Sequence, residues 1–184
     1  MVIYNNQNIK IETIEEKTKE KVMELFLDKN ANTHPLDLNN KPSESQFRII
    51  INKIINEKDD ESNIFVLKKD EEVIGYIYLF VSYDRLIIGH ICVTKEERRK
   101  DYGQLLTKIA ILIAENGNRD VSLKCYYPNK YLKKLGFAEV DEAHYLYKHK
   151  GLRNSNFPNF FVGIEEYEER RKQEIRNHIK CINK

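Results

Sequence analysis

The stretch Ile91-Cys92-Val93-Thr94-Lys95-Glu96-Glu97-Arg98-Arg99-Lys100-Asp101-Tyr102-Gly103-Gln104-Leu105-Leu106 decides the reading of this chain. An apolar β-type run leads into a basic turn and then a helix. That order gathers unpaired backbone N–H groups, the positive end of a helix dipole and mobile cations around one point, which suits a pyrophosphate. Arg98, Arg99, Lys100, Asp101, Tyr102, Gly103 and Gln104 form the expected cradle, and its ligand is expected to be a nucleotide-like anion. Most charge runs are only solvated surface. The position of this one between strand and helix favours the phosphate reading.

Working outward, the helix after the turn carries Leu105, Leu106, Ile109, Leu112 and Ile113 on one face and ends near Asn116-Gly117. Val121 to Tyr126 then reads as a strand. A right-handed strand-helix-strand crossover makes it parallel to the run Arg85 to Val93. Upstream, Asn63 to Lys69 and Glu72 to Ser82 pattern as an antiparallel hairpin, so the sheet is expected to be mixed. Asn8 to Ile14 reads as a first strand and Thr18 to Lys29 as a helix. Ser43 with Gln46 resembles a capping box opening a second helix through Glu57. Between them, Asn30 to Lys41 reads as a long irregular connection. Downstream, Pro128 to Leu135 forms a short helix stopped by Gly136, and Phe137 to Val140 with His144 to Lys148 close the sheet. The expected fold class is α/β (α+β mixed): a central mixed sheet flanked by helices.

A compact domain is expected over 1–149, followed by an extension, 150–184, with an aromatic cluster at Phe157, Phe160 and Phe161 and one charged helix, Ile164 to Ile182. That helix is a candidate surface for a homodimer. With 184 residues, 41% hydrophobic, the chain is long enough to bury a sizeable core. A formal net charge of only +2 argues against nucleic-acid binding, so any basic site must be local. No apolar run suits a membrane span and the first residues lack a signal-peptide pattern, so a cytoplasmic location without membrane association is expected. The three cysteines, Cys92, Cys125 and Cys181, lack metal-ligand spacing and read as reduced thiols. His34, His144, His149 and His178 show no mutual spacing for a metal, and none is expected.

With that order of elements, Arg85 to Phe137 resembles the GNAT superfamily of acyl-CoA-dependent N-acetyltransferases. The family's pyrophosphate loop, Arg/Gln-x-x-Gly-x-Gly/Ala after a strand, is matched by Arg98-Arg99-Lys100-Asp101-Tyr102-Gly103. Its second signature, an aromatic-rich short helix ending in Leu-Gly-Phe, is matched by Tyr131-Leu132-Lys133-Lys134-Leu135-Gly136-Phe137. Counting the flanking elements, the likeness covers about Asn8 to Lys148. Two positions depart from the pattern. Asp101 replaces the first loop glycine and must adopt glycine-like backbone geometry beside a carboxylate charge. The tyrosine that many members use to protonate departing CoA falls at Leu132, with Tyr131 next door and Tyr126 and Tyr127 as further candidates.

The resemblance implies acetyl-CoA as co-substrate and transfer of its acetyl group to a primary amine, of a small molecule or a protein, by direct attack. It also implies that Ile91, Cys92 and Val93 pair with the pantetheine arm like an added strand, and that a backbone N–H near Cys92 or Val93 polarises the thioester. His90 is the candidate base, at the strand end under the thioester, with a reference pKa of about 6.5; a packed structural histidine is the other reading. Cys92 is a buried hydrophobe or an acylated nucleophile, Tyr131 an acid or a packing residue, and Asn129 a ligand of the CoA arm or the start of the short helix. The other functional class is a non-catalytic acyl-CoA-binding module of the same fold.

Overall fold

The computed structural model describes residues 2–6, 8–28, 42–57, 61–124, 130–141 and 144–148. Eight strands form one sheet: β1 (Val2–Asn6), β2 (Ile9–Thr13), β3 (Ser62–Lys69), β4 (Glu72–Ser82), β5 (Arg85–Val93), β6 (Asp120–Lys124), β7 (Ala138–Asp141) and β8 (His144–Tyr147). Their spatial order is β1-β2-β3-β4-β5-β6-β8-β7. The described helices are α1 (Glu16–Leu27), α2 (Glu44–Glu57), α3 (Tyr102–Asn116) and α4 (Lys130–Lys134). Every neighbouring pair is antiparallel except β5 with β6, the parallel pair that the crossover through α3 requires.

Local chemistry accounts for most of these elements. Ser43 Oγ accepts from the Gln46 N–H at 3.2 Å while Gln46 Oε1 accepts from the Ser43 N–H at 2.8 Å, the reciprocal box that starts α2. The β3–β4 hairpin turns on Asp70 and Glu71, both at positive φ (49° and 65°), as a two-residue turn matching strand twist requires. Gly136, at φ +94°, ends α4, and the Phe137 N–H returns to the Leu132 carbonyl at 3.0 Å. α1 begins earlier than Thr18, because Glu15 and Thr18 form a capping box. The strand β1 carries no alternation that marks it in sequence; it is made by pairing with β2.

The core is in two layers. On one face of the sheet α3 and α4 bury Leu105, Leu106, Ile109 and Leu132 against Ile77, Leu79, Leu86 and Ile88. On the other, α1 and α2 bury Val22, Phe26, Phe47 and Ile51 against Ile64, Val66, Tyr76 and Cys92. Each fully buried Leu, Ile or Phe contributes about 2 kcal/mol. The extension 150–184, its helix Ile164 to Ile182 and the homodimer expected through it lie outside the described residues, as does the connection over Asn30 to Lys41.

Candidate active site

The sheet opens into a fork between its two parallel strands. The β5–β6 ladder runs through Arg85↔Asp120, Leu86↔Val121 and Ile87↔Ser122 and stops. Beyond it β5 continues on β4 to Val93↔Gly75, while β6 continues on β8 to Lys124↔His144. The divergence begins at a bulge. Leu79 pairs with Ile88 and Tyr78 with His90, so Gly89 is an extra residue on β5. The bulge also reverses the faces. Leu86 and Ile88 point into the α3 layer, whereas His90 and Cys92 point towards α1, although strict alternation from Ile88 would have put all four on one side.

Main-chain groups alternate sides along a strand in the same way. The Thr94 N–H donates to Ile74 O of β4 at 2.9 Å, so the Cys92 main chain faces β4 too; a Cβ added at Gly75 would lie 2.7 Å from the Cys92 carbonyl oxygen. Ile91 and Val93 therefore turn their N–H and C=O groups into the fork. There the Val93 carbonyl accepts from Arg98 Nε at 3.2 Å.

At the open end of the fork, Lys95–Glu97 form one 3-10 turn, and Arg99 and Asp101 both adopt left-handed backbone, φ 63° and 60°. Asp101 takes the conformation that its glycine-like position demands. It is also the N-cap of α3 but makes no side-chain cap; its Oδ1 accepts from Gln104 Nε2 at 2.6 Å instead. The first N–H groups of α3, on Tyr102, Gly103 and Gln104, are thus left without a side-chain cap at the positive end of a helix dipole. The three basic residues before them differ in setting. Arg98 braces the turn against Val93. Lys100 pairs at 3.1 Å with Glu97, which also holds Lys69 at 3.3 Å, and Arg99 is exposed. Burial pushes the Glu97 carboxyl up, but hydrogen bonds from Lys100 and Lys69 outweigh it and hold it below its ordinary value.

His90 is 4% exposed. Its Nδ1 lies 2.7 Å from the Tyr76 hydroxyl, its ring stacks on Tyr76 at 5.5 Å, and Phe26 meets it edge-on. Burial raises the Tyr76 pKa well above the usual tyrosine value, which keeps that hydroxyl protonated. Cys92 is buried and donates its S–H to Leu25 O at 3.6 Å, the setting of a small structural thiol. Across the fork, Leu132 is wholly buried in the α3 layer, and half-buried Tyr131 packs against the same layer. Asn129, Tyr126 and Tyr127 lie outside the described residues. Tyr76 and Gly89 were missed in the sequence; the only signal for the bulge was a glycine inside a strand pattern.

Comparison with known proteins gives the family and the fold. The sequence profile of the acetyltransferase (GNAT) domain matches residues 60–151, half of the chain. No protein of curated function matches the sequence. Among solved structures, the PaiA N-acetyltransferase of Thermoplasma acidophilum in complex with coenzyme A is 16% identical with a TM-score of 0.60, covering 76% of this chain and 97% of its own. The spermidine N-acetyltransferase of Vibrio cholerae with CoA and spermine is 16% identical, TM-score 0.59, covering 77% and 93%. The ribosomal-protein-S18-alanine N-acetyltransferase of Escherichia coli is 15% identical, TM-score 0.56, covering 81% and 98%. At such identities the likeness is one of fold. Among the described residues no helix is long and apolar enough to cross a membrane.

Proposed function

This chain belongs to the GNAT acetyltransferase family, and from that premise we propose that it transfers an acetyl group from acetyl-CoA to a primary amine by direct attack. The observation that carries the reading is the fork between β5 and β6 lying beside the uncapped start of α3. A long thin thioester with a diphosphate needs both: a strand edge for its amide arm and an anion site at one end.

In this reading the diphosphate sits on the N–H groups of Tyr102, Gly103 and Gln104, with Arg99 and Lys100 alongside. Ile91 and Val93 pair with the pantetheine arm, and the N–H of Ile91, next to Cys92 and the nearer of the two to the vertex, polarises the thioester carbonyl as negative charge develops on its oxygen. Holding the amine against the carbonyl carbon supplies the remaining advantage. The amine arrives as an ammonium and loses a proton to His90, directly or through water; its nitrogen bonds to the acetyl carbon and releases its second proton to solvent as the carbon–sulfur bond breaks. Tyr131 returns a proton to the departing thiolate. No metal is required at any step. The catalytic unit is 1–149, and the acceptor belongs to a small molecule or to a protein.

Calorimetric titration of the full chain with acetyl-CoA and with CoA tests the cofactor site, and thiol release with amines tests turnover. Micromolar binding is expected; no binding to either ligand overturns the reading. The burial of Leu132, where the family usually places its tyrosine, supports the second reading, an acyl-CoA-binding module without turnover. Binding with no thiol release from any amine would establish it.

A further inference from the structure

We infer that Tyr78 and Phe80 form the acceptor subsite and select a primary amine carried on an aryl or alkyl group, rather than a polycation. The inference rests on the proposed function and deepens it. On β4 the rings of Tyr78 and Phe80 stack at 5.5 Å with an interplanar angle of 29°. Both lie over the bulged glycine: a Cβ added at Gly89 would sit 2.7 Å from Tyr78 Cδ1 and 2.9 Å from Phe80 Cε1. Gly89 stands just past Ile87↔Ser122, the last pair before the fork opens. The pair of rings therefore lies over the β5 side of the fork's vertex, on the α1/α2 face.

That side is the one left for the amine. α3, whose N-terminus takes the diphosphate, packs on the opposite face, so a cofactor arm running from α3 along β5 brings its thioester towards the vertex from the α3 side. An amine attacking the carbonyl comes from across the sheet, where it meets Tyr78 and Phe80. Along this face Tyr76, His90 and Cys92 are buried, while Tyr78 and Phe80 stay partly open. Tyr78 is held edge-on by Phe47 at 6.1 Å, so its ring is preset rather than loose. Among the described residues the strand positions of β4 and β5 on this face are Tyr76, Tyr78, Phe80, Ser82, Arg85, Ile87, His90 and Cys92, none of them a carboxylate. A polyamine, carrying several charges, would find no counter-ion there. An aryl or alkyl amine would stack its carrier on the rings and set its ammonium against their π faces until deprotonation.

The test uses the full chain, acetyl-CoA and two probes, 2-phenylethylamine and spermidine, with thiol release as readout and calorimetry for acetyl-CoA. Phenylethylamine is expected to be the better substrate by kcat/KM, and Tyr78→Ala or Phe80→Leu to raise its KM about tenfold, equivalent to roughly 1.4 kcal/mol of lost contact. Acetyl-CoA affinity should stay unchanged in both variants. Should Tyr78→Ala fail to fold, Phe80→Leu, which keeps an apolar side chain over Gly89, carries the test. Spermidine as the preferred probe, an unchanged KM in a folded variant, or thiol release with spermidine and none with phenylethylamine would each overturn the subsite. Failure to bind acetyl-CoA, or binding with no thiol release from either probe, would instead overturn the proposed function beneath it.

Discussion

The Tyr76 hydroxyl and His90 Nδ1 lie 2.7 Å apart between β4 and β5, with both side chains buried beneath α1. Their ring stacking fixes the imidazole plane, and the raised Tyr76 pKa keeps a neutral hydroxyl against it. If His90 is the base, Tyr76 is its positioning residue. Tyr76→Phe should cost about 1 kcal/mol of stability and move the ionisation seen in kcat/KM against pH, while His90→Ala should remove that ionisation. A folded His90→Ala enzyme with an unaltered pH profile would exclude His90 as base.

Asp101 pays a conformational cost at φ 60° that glycine would not. Asp101→Gly should stabilise the fold by about 1 kcal/mol in thermal or denaturant melts, and should tighten acetyl-CoA binding several-fold by removing a carboxylate beside the diphosphate. Weaker binding would mean that Asp101, through its contact with Gln104, orders the cradle.

Arg98 and Arg99 are adjacent in sequence but should separate in experiment. Arg98→Ala loses the bond to Val93 O and should lower stability by about 1 kcal/mol. Arg99→Glu, at an exposed position, should leave the melting temperature unchanged and weaken acetyl-CoA binding about tenfold, the loss shrinking as salt screens it. Equal affinity in folded Arg99→Glu would remove that residue from the phosphate site.

Far from the fork, buried Glu12 holds Lys10 at 2.7 Å and pairs with buried Lys68. Burial raises its pKa, but hydrogen bonds from Lys10 and Lys68 outweigh that and bring it below the ordinary 4.5. Because the folded value is the lower one, the contribution to stability is complete above the unfolded pKa and is lost as pH falls through the folded value. Melts from neutral to acid pH should show that decline, and Glu12→Gln should flatten it while costing about 3 kcal/mol at pH 7, since Lys68 loses its buried partner.

Much of the fold was legible because its signals are local. The bounds of β4 follow from an apolar run between two-residue turns, those of β5 from a run between the second of these turns and the basic turn, and α2 from the Ser43–Gln46 box. The basic turn between β5 and α3 was legible for the same reason: strand, turn and helix are contiguous. β1 was not, because its stabilising partner is the β2 ladder rather than any pattern of its own. Within the site, the difference between Arg98 and Arg99 was invisible, since it depends on which side of β5 the Val93 carbonyl faces.

The order of elements from β2 onward, the mixed sheet and the run of strand, basic turn and helix were determined by the sequence alone, through periodicity, turn chemistry and adjacency, and the left-handed demand on Asp101 by its place in the family's loop pattern. Which face His90 occupies, and where the fork opens, only the tertiary structure decided. A strand's side chains alternate, but one bulged residue inverts every face after it. Whether Gly89 pairs or bulges is settled by register against β4 and by the rings of Tyr78 and Phe80 lying where a Cβ would be. Those contacts join residues separated along the chain, so no local pattern encodes them.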